Sequence, residues 1–542
     1  MRPRTGIAVF ATLVGAAGVL AVAAGSGTAA HAASINSNNG NKVKAGDLLV
    51  SGTFYSAPNI VAGSTQLPPG CAAANCVTAI AGNTFPQVFN NANADASFGI
   101  TSQIFLDELT TDDRPNGRIV INPNDMATSY SSKSELALSL SPDGKYVTWM
   151  GYDAKPATVD VSNANTPGEV DPENPIPTPY YRAVGQLDAN GNVSVTDTNA
   201  YTGDNGRAAI AATVNGKEVY YTAGNASSVE SPQLPGTIIG AGAQLVTPHT
   251  TPGAPTPVGS FSVTQLGDKA DKVGKDDNFR GIAIYNNVLY YTKGSGSNGV
   301  NTVYYVDTTG SCQNGVGIPS ANATLPTTPL SYNAATLQTA GLPSNMCILK
   351  GFPTVLAKGA TDASDYPFGI WFANPTTLYV ADEGAGDNAF SGGTYTAAAA
   401  STTAGIQKWV YNTTAGAWQL AYTLQGGLNL GQPYTIKGYP TGTNSATNLP
   451  WSPATDGLRA ITGKMNRDGT VSLWAVTSTV SGSGDQGADP NKLVEVTDKL
   501  SATAQPSGES FRTVQTAVFG QLFRGVTFTP GTNVRSGEYG SN

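Results

Sequence analysis

The stretch Asp277-Asn-Phe-Arg280-Gly-Ile-Ala-Ile-Tyr285-Asn-Asn-Val-Leu-Tyr-Tyr-Thr292 decides how this chain is read. An acid, two spacers and an arginine open an apolar, β-branched run. Asn286-Asn287 then supplies a two-residue turn, and a second apolar run returns. The opening phrase recurs. Asp95-Ala-Ser-Phe98 precedes Gly-Ile-Thr-Ser, Asp204-Asn-Gly-Arg207 precedes Ala-Ala-Ile-Ala, Asp365-Tyr-Pro-Phe368 precedes Gly-Ile-Trp-Phe, and Asp456-Gly-Leu-Arg459 precedes Ala-Ile-Thr-Gly. Ser132-Lys-Ser-Glu135 and Gln521-Leu-Phe-Arg524 are degenerate copies ahead of Leu-Ala-Leu-Ser and Gly-Val-Thr-Phe. Repeated strand pairs at intervals of tens of residues are the mark of a radial β-architecture, in which equivalent positions meet around one axis.

Seven anchors predict seven blades. The intervals between them run from 37 to 91 residues, longer in most cases than a bare four-stranded blade needs, so the excess must lie in loops. Pro172–Pro179, Pro232–Pro257, Pro319–Pro343 and Gly384–Ala404 have the Pro, Thr and Gly content of such insertions. The anchor at Arg524 leaves room for one strand, while Asp47–Tyr55 is strand-like and has no anchor. Pairing the two closes the wheel in one composite blade and removes an exposed sheet edge. The expected fold is therefore an all-β propeller of seven blades over residues 44–535, with a tail at 536–542.

Residues 1–32 carry the features of a secretory signal: Arg2 and Arg4, an apolar run from Gly6 to about Ala24, and Ala30-His-Ala32 as a cleavage pattern. The expected product is a secreted, extracellular monomer with no membrane span after cleavage. Charged residues make up 12% of the chain, so Ser, Thr, Asn and Gly must solvate most of the surface. The net charge is −8, and −10 once Arg2 and Arg4 leave, which argues against nucleic acid as a partner. Four cysteines in an oxidising compartment read as disulfides, Cys71 with Cys76 and Cys312 with Cys347, each pair within one insertion. Outside the signal the chain owns one histidine, His249, so Ser-His-Asp triads and multi-histidine metal sites have no residues to build them.

Ser141-Pro-Asp-Gly-Lys-Tyr-Val147 and Thr377-Leu-Tyr-Val-Ala-Asp382 resemble phrases of the secreted YVTN- and NHL-type seven-bladed β-propellers. That resemblance implies architecture; those families include binding platforms, hydrolases and lyases. It also implies that the loop entering each innermost strand and the loop leaving the second strand open on one face. The candidate ligand-binding residues are thus Arg207, Arg280, Arg459 and Arg524, with Asp204, Asp277, Asp365 and Asp456. Like charges around an axis repel, so such a ring needs matched carboxylates or an anionic ligand, and guanidinium forks suit carboxylates and phosphates.

Asp382, Glu383 and Asp387 form the candidate Ca²⁺ cluster, because hard cations take several oxygens on a flexible loop. Trp371 and Trp474 have alternating apolar neighbours and are expected in the core; Trp409 and Trp418 are further aromatic surfaces. Three functions stay open at this point. One is binding of an extracellular polysaccharide or other anionic ligand at the central mouth. The second is a histidine-independent hydrolase or lyase, either a calcium-assisted phosphoesterase or a polysaccharide-degrading enzyme using carboxylates or a tyrosine such as Tyr291. The third is a structural surface protein.

Overall fold

In the computed structural model, residues 32–33 and 42–533 are described, apart from 72–73, 75, 94–97, 132–134, 170–173, 227–240, 250–251, 253, 272–273, 332, 334–335 and 359–364. The signal segment up to residue 31, Asp95, Ser132 to Ser134 and the tail at 536–542 lie outside the described residues. Ala32–Ala33, at the expected cleavage boundary, pairs with Val193–Thr198.

Six blades surround the axis, each a sheet of antiparallel strands running outward from the hub. Blade 1 consists of Ser139–Leu140, Tyr146–Tyr152, Arg182–Asp188 and Val193–Thr198. Blade 2 follows as Gly206–Val214, Lys217–Gly224, Ala243–Val246 and Thr256–Gly259. Blade 3 has Ile282–Tyr285, Val288–Lys293, Thr302–Val306 and Met346–Leu349, with Val316–Gly317 added in parallel. Blade 4 is Pro367–Asn374, Thr377–Asp382, Gly405–Asn412 and Ala417–Leu424. Blade 5 is Ala454–Met465, Thr470–Val480, Lys492–Lys499 and Arg512–Thr516. Blade 6 is the composite: Gln521–Phe528 innermost, then Leu48–Phe54, Thr101–Leu109 and Pro115–Val120. Leu48 lies opposite Phe528 and Phe54 opposite Gln521, so the two chain ends do close the wheel.

Among the described residues there is no seventh blade, and the reason lies in the composite sheet. Phe98 does not open an innermost strand. It leads into Thr101–Leu109, the third strand of the composite blade, so the anchors at Phe98 and Arg524 belong to one sheet. The 37-residue interval between Phe98 and Glu135 holds the two outer strands of that blade, too short a run for a blade of its own.

Turn chemistry sets the hairpins. Asn215 and Gly216 both adopt positive φ, 51° and 75°, the geometry that joins two right-twisted strands in two residues. Asn286 and Asn287 do the same at 48° and 59°. Between blades the core is apolar and alternates by strand face. Leu49, Ile104 and Leu106 of blade 6 meet Val147 and Trp149 of blade 1, while Leu48, Val50 and Phe105 meet Trp474 and Leu493 of blade 5. Trp474 is buried, and Trp371 packs against the core between blades 4 and 5, as expected; Trp409 and Trp418 are buried as well. A fully buried charged tie crosses the blade 4–5 interface. Lys408 Nζ donates to Asp498 at 2.8 Å with both side chains sealed from solvent, and Tyr379 and Tyr422 donate to the same carboxylate at 2.5 Å. Breaking such a buried pair strands a charge, so it holds the register of two blades.

Both disulfides form as expected, Cys71 to Cys76 and Cys312 to Cys347, with Cα separations of 5.7 and 5.9 Å. No helix among the described residues is long and apolar enough to cross a membrane.

At the hub the innermost strands adjoin one another in a closed circle, blade 1 to 2, 3, 4, 5, 6 and back to 1. Small residues after the anchors make this possible. A Cβ on Gly281 would overlap the carbonyl oxygen of Phe368 in the next blade. One on Gly369 would lie 2.5 Å from the Arg459 oxygen, and one on Gly525 2.6 Å from the Leu138 nitrogen. These neighbours are backbone and cannot swing aside. Gly281→Val should therefore destabilise the fold by about 3 kcal/mol or more, the upper range for overpacking, read as a lowered denaturant midpoint; an unchanged midpoint would show that the inner strands do not touch as described.

Candidate functional site

Six anchor side chains mark the six innermost strands: Glu135 and Arg280 lie just ahead of theirs, Arg207 and Phe368 are second residues, and Arg459 and Arg524 lie within Ala454–Met465 and Gln521–Phe528. Their order around the circle sets Glu135 opposite Phe368, Arg207 opposite Arg459, and Arg280 opposite Arg524. The loops leaving the second strands reach the same end of the wheel. Glu383, just past the second strand of blade 4, binds Arg459 of blade 5 at 2.9 Å. Ser295, just past that of blade 3, accepts a hydrogen bond from Arg280, and Asn225, just past that of blade 2, donates to Asp204. The shared face expected for these loops is thus present.

Each arginine is held differently. Arg207 donates to Asn278, to the Phe279 carbonyl at 3.0 Å and to Asn205 at 3.1 Å, and its guanidinium stands 3.7 Å from Asp204. Arg524 donates from Nη2 to the Tyr130 carbonyl. Its Nε and Nη1, and Nε of Arg207, are buried and have no acceptor among the described residues. Burial presses hardest on these cations. It lowers Arg280 to about 9, with the charges of Arg207 and Arg459 adding to the effect, and lowers Arg524 to about 10, again with Arg459 adding. Glu135 opposes this at Arg524 and Arg207, and Glu383 at Arg280.

Glu135 accepts from Tyr152 and, at 3.1 Å, from Asn205. Lys293, at the end of the second strand of blade 3, lies 1% exposed and donates to the Ser295 carbonyl at 2.9 Å and to Asn301 at 3.2 Å. Its burial, reinforced by Arg280, lowers it to about 7. The hub is therefore a cluster of donors under electrostatic pressure.

The anchor aspartates divide. Asp204 sits between Arg207 and Lys275, 3.7 Å from each; burial raises its carboxyl, but these charges outweigh it and hold the group below the usual range. Asp277 instead accepts from Ser260 Oγ at 2.7 Å and Phe261 N at 2.8 Å. Asp365 accepts from Gln407 at 3.0 Å, and Asp456 from Gly386 N at 2.7 Å. These three stitch loops together, the ordinary work of an aspartate at a turn.

The three acids proposed for calcium have separate partners. Asp382 is fully buried and accepts from Tyr366 N at 2.7 Å, Gly384 N at 3.0 Å and Gln407 at 3.2 Å. Glu383 is committed to Arg459, and exposed Asp387 accepts from Ala389 N at 2.8 Å. Among the described residues no group of three ligating side chains gathers for a metal, so this donor set does not fit a calcium cage. Tyr291 is fully buried and donates to the Thr222 carbonyl at 3.1 Å, tying blade 3 to blade 2, and His249 is exposed.

Three participants escape a sequence reading that searches for repeats of Arg and Asp. Glu135 occupies the anchor position of a degenerate copy with reversed charge. Asn278 and Ser295 are spacer and loop residues whose type carries no signal of its own. The position of Glu135 was legible, its role as counter-charge was not.

The chain matches no protein-family model and no curated protein. Among solved structures it is similar to a GH43 β-xylosidase/α-arabinofuranosidase from a compost microbial metagenome, at 11% identity and a TM-score of 0.28, covering 72% of this chain and 98% of that one. A Synechocystis apocarotenoid oxygenase variant is similar at 7% identity and a TM-score of 0.28 over 92% and 96%. A parainfluenza virus 5 hemagglutinin-neuraminidase is similar at 10% and 0.26 over 79% and 84%. Likenesses this distant carry no functional argument. The β-propeller stands on its own strand topology, with six blades rather than the seven of the YVTN and NHL type.

The buried charges set a pH dependence of stability. Burial raises Asp277 and Asp382 to about 8, well above their unfolded value of 3.8. The folded state then holds protons that the unfolded chain releases, a stabilisation present below about pH 4 and lost as pH rises through 8. Lys293, lowered to about 7, acts oppositely above that pH. Stability should fall between pH 5 and 7 and fall less steeply in Asp382→Asn, the slope against pH being the readout; equal slopes would refute it. Separately, EDTA should leave the melting temperature unchanged, and a clear drop would restore a structural cation.

Proposed function

We propose that this protein is a secreted binding protein whose central mouth takes an acidic carbohydrate. The observation that carries the reading is Arg524: a guanidinium 5% exposed, at the hub, with two of its three nitrogens lacking an acceptor among the described residues. Buried donors of this kind need acceptors, and a ligand carboxylate or hydroxyl supplies them at charge-assisted strength. Arg207 offers a third such donor at Nε, and Arg280 brings further positive charge to the same region, while Arg459 is paired with Glu383. The low charge of the chain and its two disulfides suit an extracellular setting.

Calorimetry with oligogalacturonates and neutral oligosaccharides of equal length tests this. The acidic set should bind and the neutral set should not. Arg524→Gln should weaken binding about 10- to 100-fold, the worth of one or two hydrogen bonds to a charged group, with the melting temperature of the fold retained. Undiminished binding in the variant, or no binding of any acidic sugar to the native chain, would overturn the proposal. Release of shortened products would transfer the protein to the hydrolase or lyase class.

A further inference from the structure

Three neighbouring strands of blade 4 present one row of side chains to blade 5. Tyr379 lies opposite Lys408, and Lys408 opposite Tyr422, so the three stand abreast on one face of the sheet. All three converge on a single carboxylate, Asp498, near the end of the third strand of blade 5. Lys408 Nζ donates to Asp498 Oδ2 and to the Lys499 carbonyl, both at 2.8 Å, and to the Tyr422 hydroxyl at 2.9 Å. The side chains of Lys408 and Asp498 are both 0% exposed. Tyr379 and Tyr422 share an apolar cluster with Val471, Val496 and Phe511.

As an ion pair this group is complete, because the ammonium has three acceptors for its three protons. Yet a second acid is set against it. Glu509, on the loop between the third and fourth strands of blade 5, accepts from Lys499 N at 2.9 Å through one oxygen. Its other oxygen is buried and meets no donor among the described residues. Burial, reinforced by the charge of Asp498, raises the Glu509 carboxyl above its usual range. One cation facing two carboxyls leaves a proton to be held between the acids, and a purely structural pair would gain by losing Glu509. A sealed amine, a carboxyl with donors on both oxygens and a neighbouring acid are instead the parts of an amide-forming site.

We infer that Lys408 and Asp498 join in an intramolecular isopeptide bond, with Glu509 relaying the protons. Lys408 first passes a proton to Asp498 along their 2.8 Å hydrogen bond, a neutralisation that burial favours. The freed lone pair of Nζ attacks Cγ, and the N–C bond forms. Glu509 gives its proton to the hydroxyl oxygen on Cγ, the C–O bond breaks, and that oxygen leaves as water. The nitrogen then returns a proton to Glu509, which ends as it began. Ammonium and carboxylate thus become amide and water, with no oxidant or cofactor consumed. Tyr379 and Tyr422 steady the charge that builds on the Asp498 oxygens. Lys499 also lines a cleft of about 530 Å³ between the turns of the two blades, which gives the water a short way out. The product is a covalent tie from blade 4 to blade 5.

Peptide mapping by mass spectrometry of the native protein, reduced and proteolysed, tests this. A branched peptide joining the Lys408 segment to the Asp498 segment should replace the two linear ones and weigh one water less than their sum. Lys408→Arg keeps the positive charge but should give linear peptides only. Glu509→Gln, with an unchanged circular-dichroism spectrum, should lower the linked fraction about tenfold or more, since a positioned proton relay is worth about 100-fold or more in rate. Linear peptides alone from the native protein, or a missing water located elsewhere, would overturn the isopeptide bond whether or not the variants fold. Full linkage in Glu509→Gln would overturn the relay.

Discussion

Everything in this structure depends on how closely six strands can approach one axis. The carbonyl of Phe368 occupies the place where Gly281 would carry a β-carbon, and the carbonyl of Arg459 crowds Gly369 in the same way. Backbone against backbone is the tightest lateral packing a chain allows, and glycine permits it here through space, not through unusual φ. Because the inner strands touch directly, the side chains just ahead of the small residues are brought together at the end of the hub. The charged cluster is thus a by-product of the same packing that closes the wheel.

That cluster shows how repetition is tempered. Six identical arginines would repel without relief. Instead one position carries Glu135, its opposite carries Phe368, and Glu383 arrives from a neighbouring loop to meet Arg459. Asp204 serves Arg207 in the same manner. The counter-charges come from several loops, so the hub is anchored to most of the blades through hydrogen bonds as well as packing. Buried pairs of this sort cost desolvation and return positional definition.

Much of the fold was legible from the sequence because its determinants are local. Asn215-Gly216 and Asn286-Asn287 specify hairpins by their tolerance of positive φ, and anchor phrases mark the innermost strands. The match of Leu48–Phe54 with Gln521–Phe528 was readable from an unpaired strand at each end. Blade number was not, because Asp95-Ala-Ser-Phe98 mimics an anchor while introducing an outer strand. Nothing local distinguishes the two cases; only pairing does. The site was legible in its arginines and illegible in its partners. Asp277, Asp365 and Asp456 look equivalent to Asp204 in sequence, yet loop geometry brings amide hydrogens to their carboxylates. Asp382, Glu383 and Asp387 are adjacent along the chain and still have three separate partners.

The composite blade has a consequence for folding. Gln521–Phe528 pairs with Leu48–Phe54, across almost the whole of the described residues. Until both ends are free to meet, blade 6 lacks its innermost member and the flanks of blades 5 and 1 stay uncovered. Contacts of such long sequence separation form late, so closure of the wheel waits on this pairing.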